Sequence, residues 1–258
     1  MNTHAFSPLE LRELFHLEVL RLLARKLKPH QYVLKGGVNM RFFFGSPRYS
    51  EDMDLDAQDI DVAELQEKVM VLLAAHSLKD TLSSFGIDRV VSPDISRAKQ
   101  TETTQRFKIH LITSTGEDLF TKIEFSRRGI DEGARVESIR ADILRRLRLP
   151  PLICPHYCAE AALRQKIGAI AGRPATQARD IFDLYLLGTQ ANLTKESVTV
   201  EMHSVLKKAV ENIYAVDFRQ FSDTVLAYFP SDLRTAYADA GSWDEIRLIA
   251  SQIIEELL

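Results

Sequence analysis

Two cysteines in 258 residues leave nothing from which to build a disulfide framework. No run approaches the roughly 18 consecutive apolar residues that a bilayer-spanning helix needs, so no such helix is expected. The opening MNTHAFSPLELRELF lacks a basic stretch leading into an apolar core, so no signal peptide is expected. Low-complexity segments and internal repeats are absent too. A net charge of −3 excludes a polyanion binder recognisable from composition alone. The expectation that remains is a cytoplasmic globular protein. Its 45% hydrophobic and 27% charged residues are ordinary, and its length suffices for one large domain or two modest ones.

The apolar pattern predicts a helix over 8–28, with Ser7 as N-cap ahead of Pro8. Tyr32-Val33-Leu34 reads as a short strand entering a Gly36-Gly37 turn, and 38–44 as a helix ended by Gly45-Ser46-Pro47. Residues 53–57 form the next strand and 61–75 the next helix, with Asp59 or Asp61 near its cap. Segments 87–91, 105–113 and 120–126 have β composition, the last two joined by a turn at Ser114-Thr115-Gly116-Glu117. The result is a mixed sheet of about four or five strands with flanking helices over residues 30–126. Pro150-Pro151 then breaks the chain. Beyond it the pattern is helical, over about 156–172, 176–190, 194–212, 217–228 and 242–257. The expected fold is an α/β domain over 1–150 and an all-helical domain over 151–258.

The most informative stretch is Ser50-Glu51-Asp52-Met53-Asp54-Leu55-Asp56. As a strand, it places Asp52, Asp54 and Asp56 on one face and Met53 and Leu55 on the other. A sheet face carrying such like charges is costly unless a cation bridges them. Hard divalent ions prefer carboxylate oxygens, and Mg2+ commonly bridges carboxylates and nucleotide phosphates. Gly36-Gly37, after a strand and before a helix, lets backbone N–H groups approach an anion closely. Glu124, flanked by Ile123 and Phe125, is a third strand carboxylate facing away from the core. Three carboxylates suit two metal ions in phosphoryl or nucleotidyl transfer.

In the helical half, Lys166, Ala169 and Arg173 share one helix face, and Arg179, Asp180 and Asp183 share a flank of the next. Residues 127–148 carry seven arginines against four acidic groups, a candidate phosphate- or RNA-facing surface. Cys154-Pro155-His156-Tyr157-Cys158 has no second Cys/His pair at matching spacing, so its thiols are read as incidental.

The ordered set Lys35-Gly36-Gly37, Arg48-x-Ser50-x-Asp52-x-Asp54-Leu55 and Ile123-Glu124-Phe125 resembles the nucleotidyltransferase superfamily built on the DNA polymerase β core. With Lys166-x-x-Ala169-x-x-x-Arg173 and Arg179-Asp180-x-x-Asp183-Leu184, the chain is similar more narrowly to AbiEii-type nucleotidyltransferase toxins of abortive-infection and type IV toxin–antitoxin systems. The resemblance implies a catalytic domain over 1–150 and a helical domain over 151–258 that completes the nucleotide site. It implies Asp52, Asp54 and Glu124 as ligands of two Mg2+ ions, with Gly36 and Gly37 at the triphosphate turn. Lys35, Arg48 and Ser50 would be nucleotide or phosphate contacts. Lys166 would meet the triphosphate, and Asp180 or Asp183 would orient Lys166 or Arg179, itself a nucleotide-binding candidate, or contact nucleotide. Many superfamily members have Gly-Ser where this chain has Gly36-Gly37, which leaves Ser50 as the replacement hydroxyl. The implied reaction moves a nucleoside monophosphate from an NTP to an RNA acceptor, the 3′ end of tRNA leading, under control of a cognate antitoxin. The rivals are an aminoglycoside-type small-molecule nucleotidyltransferase and a non-catalytic nucleotide-binding regulatory protein.

Overall fold

Ser7 starts the first helix, α1 (Pro8–Lys26), as the sequence predicts: its hydroxyl accepts from the Glu10 amide, and the Glu10 carboxylate accepts from the Ser7 amide. The structure, a computed structural model, describes residues 6–195, 198 and 200–258. It contains two units, Met1–Phe43 with Tyr49–Tyr157, and Phe44–Arg48 with Cys158–Leu258.

The first unit continues through β1 (Tyr32–Lys35), α2 (Gly36–Phe43), β2 (Asp52–Ala57), α3 (Val62–Ala74), α4 (His76–Ser84), β3 (Ile87–Val91), β4 (Thr104–Thr113), β5 (Asp118–Ser126), β6 (Ala134–Ser138), α5 (Ala141–Arg146) and β7 (Ile153–Tyr157). All seven strands form one mixed sheet in the order β3-β4-β5-β2-β1-β7-β6. Strand alternation sends Met53, Leu55, Phe107, Ile109, Leu111, Ile123 and Phe125 to one face, where they join Leu14, Leu17 and Leu72 in the buried core. The opposite face of β2, β4 and β5 carries the polar side chains.

The sheet is larger than the sequence predicts. β6 and β7 were not expected as strands, nor α4 as a helix. β6 has five exposed residues and no apolar face to mark it. β7 contains Pro155, which lacks the N–H of a ladder and argues against a strand, yet β7 lies parallel to β1 with Leu34 opposite His156. β7 takes only the first two residues of the helix expected from about 156, which begins instead at Ala159, and the boundary between the units follows Tyr157.

In the second unit the described elements are α6 (Ala159–Gly172), α7 (Ala178–Leu187), α8 (Val200–Ile213), α9 (Phe218–Thr224), α10 (Ser231–Arg234) and α11 (Ala240–Glu255), with short 3-10 turns. Residues 196, 197 and 199 of the helix expected over 194–212 lie outside the described residues. Trp243 is fully buried, stacked on Phe221 at 4.4 Å, and its indole N–H donates to the Val216 carbonyl. No helix among the described residues is long and apolar enough to cross a membrane.

Gly36 joins β1 to α2 with φ +68, a conformation costly for any residue with a Cβ. A Cβ there would also sit 3.0 Å from Asp54 Oδ2. Gly36→Ala is therefore expected to destabilise the protein by about 1–2 kcal/mol, measured by urea unfolding.

Candidate active site

β2 and β5 pair in parallel, and their register sets Asp54 directly beside Glu124 and Asp52 beside Lys122. β4 adds Arg106 on the other side of Glu124. Two carboxylates in adjacent register positions repel, so the cations matter. Arg106 Nε donates to Glu124 Oε2 at 2.6 Å. Lys122 Nζ lies 3.2 Å from Asp52 Oδ2 and 3.6 Å from Glu124 Oε2, and so bridges the two. The start of α2 at Gly36 adjoins Asp54, bringing the positive end of a helix to that carboxylate.

Burial pushes the Asp54 carboxyl above its ordinary range; Lys122 opposes the rise, while Glu124 and Asp52 add to it. Glu124 moves the other way. Burial alone would lift it, but the Arg106 hydrogen bond and the Lys122 charge outweigh that and hold it low. Three carboxylates thus face two cations, leaving an excess of negative charge. Among the described residues no three Asp, Glu, His or Cys side chains converge as a ready metal cage. The donors are nevertheless hard oxygens on adjacent strands, with charge still to be balanced, which suits a divalent cation that retains water.

Asp56 shares the strand face but is already occupied. Lys35 Nζ lies 2.5 Å from its Oδ1, and the Tyr157 hydroxyl donates to its Oδ2 at 2.7 Å. Lys35, expected at the nucleotide, is thereby drawn into an ion pair. The Ser50 hydroxyl donates to the Asp52 carbonyl at 2.8 Å, so its one proton shapes the entry to β2. The Thr121 hydroxyl donates to the Glu51 carbonyl at 2.6 Å and accepts from buried His16 Nε2 at 2.8 Å. Through this chain α1 holds β5 and the start of β2 together.

The second unit brings its own predicted residues together. Lys166 Nζ is 2.9 Å from Asp180 Oδ1 and 2.6 Å from Asp183 Oδ2. Arg173 Nε lies 3.0 Å from Asp180 Oδ2. Burial would lower the Lys166 pKa, but Asp183 and Asp180 raise it above the usual lysine value, so the ammonium stays charged. Arg48 is buried with its Nη2 3.4 Å from Asp183 Oδ2, inside this network. Arg179 is exposed, with no ion pair among the described residues.

The family described as "Nucleotidyl transferase AbiEii toxin, Type IV TA system" matches residues 19–242. The chain belongs to the AbiEii family. This family member is a nucleotidyltransferase, and the matched residues include parts of both units. No curated protein matches it significantly. Among solved structures it is similar to JHP933 from Helicobacter pylori, at 20% identity and a TM-score of 0.57, covering 95% of this chain and 93% of that one. A putative nucleotidyltransferase from H. pylori is similar at 21% identity and a TM-score of 0.56, covering 95% and 94%. MenT4, a nucleotidyltransferase toxin from Mycobacterium tuberculosis H37Rv, is similar at 16% identity and a TM-score of 0.65, covering 97% and 85%. At these identities the solved structures show the fold alone.

Two residues of this AbiEii nucleotidyltransferase escaped the sequence reading, Lys122 and Arg106. Alternation in Lys122-Ile123-Glu124 already puts Lys122 on the Glu124 face; only the strand register reveals Arg106. The arginine-rich segment proves less uniform than its composition. Arg127 donates to the Gln105 side chain and the Ile60 carbonyl. Arg146 is held by Glu13 and Tyr49, and Arg140 pairs with Asp142. Arg128, Arg135, Arg145 and Arg148 are exposed.

Burial lowers the His16 pKa to about 3, with Arg12 adding to the effect. The folded state therefore favours neutral imidazole, whereas the unfolded chain protonates near its ordinary value of about 6.5. His16 contributes stability above pH 6.5 that is lost as pH falls toward 3. Chemical denaturation across that window should show His16→Gln losing less stability per pH unit than the parent, by about 1 kcal/mol at most.

Proposed function

We propose that this nucleotidyltransferase transfers a nucleoside monophosphate from an NTP to a hydroxyl of RNA, at the 3′ end of tRNA, with release of pyrophosphate. The observation that carries this reading is the β2–β5 register, which joins Asp54 and Glu124 across adjacent strands with Asp52 two residues away. Asp52, Asp54 and Glu124 would hold two Mg2+ ions, which supply charge neutralisation to the triphosphate when bound. One carboxylate of the trio accepts the proton of the incoming hydroxyl. Gly36, with Gly37 behind it, keeps the turn beside Asp54 free of side chain, where a phosphate oxygen is admitted to the start of α2. Arg106 fixes the Glu124 carboxylate so that it stays ionised.

Lys166 is proposed as the phosphate-contacting cation of the second unit, with Asp180 and Asp183 orienting it. Arg48 positions Asp183 instead of meeting phosphate, because its guanidinium is buried against that residue. Exposed Arg179 is available to nucleotide. The family's type IV toxin–antitoxin setting supports neutralisation by a cognate antitoxin.

Incubation with radiolabelled NTPs, Mg2+ and total RNA tests the reading. Label should enter tRNA with the parent protein and be absent with Asp52→Ala or Asp54→Ala. Asp54→Ala also removes a carboxylate disfavoured by burial and by two like-charged neighbours, so its melting temperature should equal or exceed the parent's. Label on an aminoglycoside but not RNA would replace the acceptor; full transfer by either variant would sink the assignment. Lys166→Ala leaves two buried carboxylates short of a partner and should cost about 3 kcal/mol. Its kinetics are therefore compared with Lys166→Arg, which keeps the charge; loss of NTP affinity in the alanine variant alone supports the phosphate role.

A further inference from the structure

The polar face of β2, β4 and β5 is ordered in rows. Cross-strand register aligns Arg106, Glu124 and Asp54 in one row, Lys108, Lys122 and Asp52 in the next, and His110 and Phe120 in the third. Val91 of β3 extends the third row. Phe120 is 63% exposed, unusual for an aromatic ring within a strand. Its ring stacks on His110 with centroids 4.7 Å apart and planes 20° from parallel. Asp118 lies 2.6 Å from His110 Nε2 and holds that imidazole in place. Lys108 is exposed and makes no ion pair among the described residues.

We propose that this face is the track for the acceptor: a single-stranded nucleic acid stacks a base on Phe120 and sets its phosphates against Lys108 and Lys122. The proposal deepens the transferase reading and rests on it for where the strand ends, at Glu124 and Asp54. Two features select nucleic acid as the occupant. An open aromatic ring offers a stacking surface to any base, and the lysine row beside it matches a phosphate backbone. The aromatic row leads through the lysine row to the carboxylates. Phe120 lies four residue steps from Glu124 along β5, about 13 Å, so a strand end stacked on the ring reaches the carboxylates within a short length of chain.

The test measures binding apart from transfer. Fluorescence anisotropy of a short labelled single-stranded oligoribonucleotide is followed without NTP or metal. Phe120→Ala should weaken binding about tenfold and Phe120→Trp should restore it. Lys108→Ala should reduce the dependence of log affinity on log salt by about one phosphate contact. Binding of a fluorescent NTP analogue with Mg2+ should be unchanged in all three. Unchanged oligonucleotide affinity in Phe120→Ala overturns the track, and label entering RNA with an unaltered KM in that variant would do so while leaving the transferase reading intact. If no label enters RNA but oligonucleotide binding still depends on Phe120, the track stands and the reaction is what must be revised.

Discussion

The hydrogen-bond ladder between β2 and β5 forces Asp54 and Glu124 into neighbouring positions, and the surrounding design answers that repulsion. Parallel pairing leaves no freedom to slide, since a shift of one residue would turn Met53 and Leu55 out of the core and the carboxylates into it. Arg106 and Lys122 moderate the charge from the open face, and Gly36 keeps the space beside Asp54 clear. From the buried face, His16 and Thr121 tie α1, β5 and the start of β2 into one frame. The site's polarity is thus held in place by apolar packing behind it.

The two charged clusters have opposite imbalances. Around Asp52, Asp54 and Glu124, three acids meet Lys122 and Arg106; around Asp180 and Asp183, two acids meet Lys166, Arg173 and Arg48. The first set lacks positive charge and the second has a surplus. The acids around Lys166 also explain how an ammonium survives burial: desolvation favours losing the proton, and two short ion pairs reverse the preference.

Much of the site could be read from residue order because strand alternation has a fixed period. Asp52, Asp54 and Glu124 declare their face by the apolar residues between them, and five of the seven strands follow from the same pattern. What stayed hidden depends on long-range pairing. Lys35 and Arg48 look like phosphate ligands beside the glycine and aspartate motifs, yet their partners, Asp56 and Asp183, are fixed by the fold. β6 and β7 were illegible for local reasons, one lacking an apolar face and the other carrying Pro155. For the arginines of 127–148, composition does not say which guanidinium is already engaged. Arg146, held by Glu13 and Tyr49, is the clearest case.

The excursion of Phe44–Arg48 into the second unit, followed by a return at Tyr49, has a practical corollary. No single cut of the polypeptide yields both units whole, because one of them is assembled from two distant pieces. A fragment ending at Tyr157 would strand Arg48 without Asp183, and one starting at Cys158 would leave Asp183 without that guanidinium. Truncation is thus a poor way to parse this enzyme, whereas a circular permutant or a co-expressed split would respect how the chain is laced.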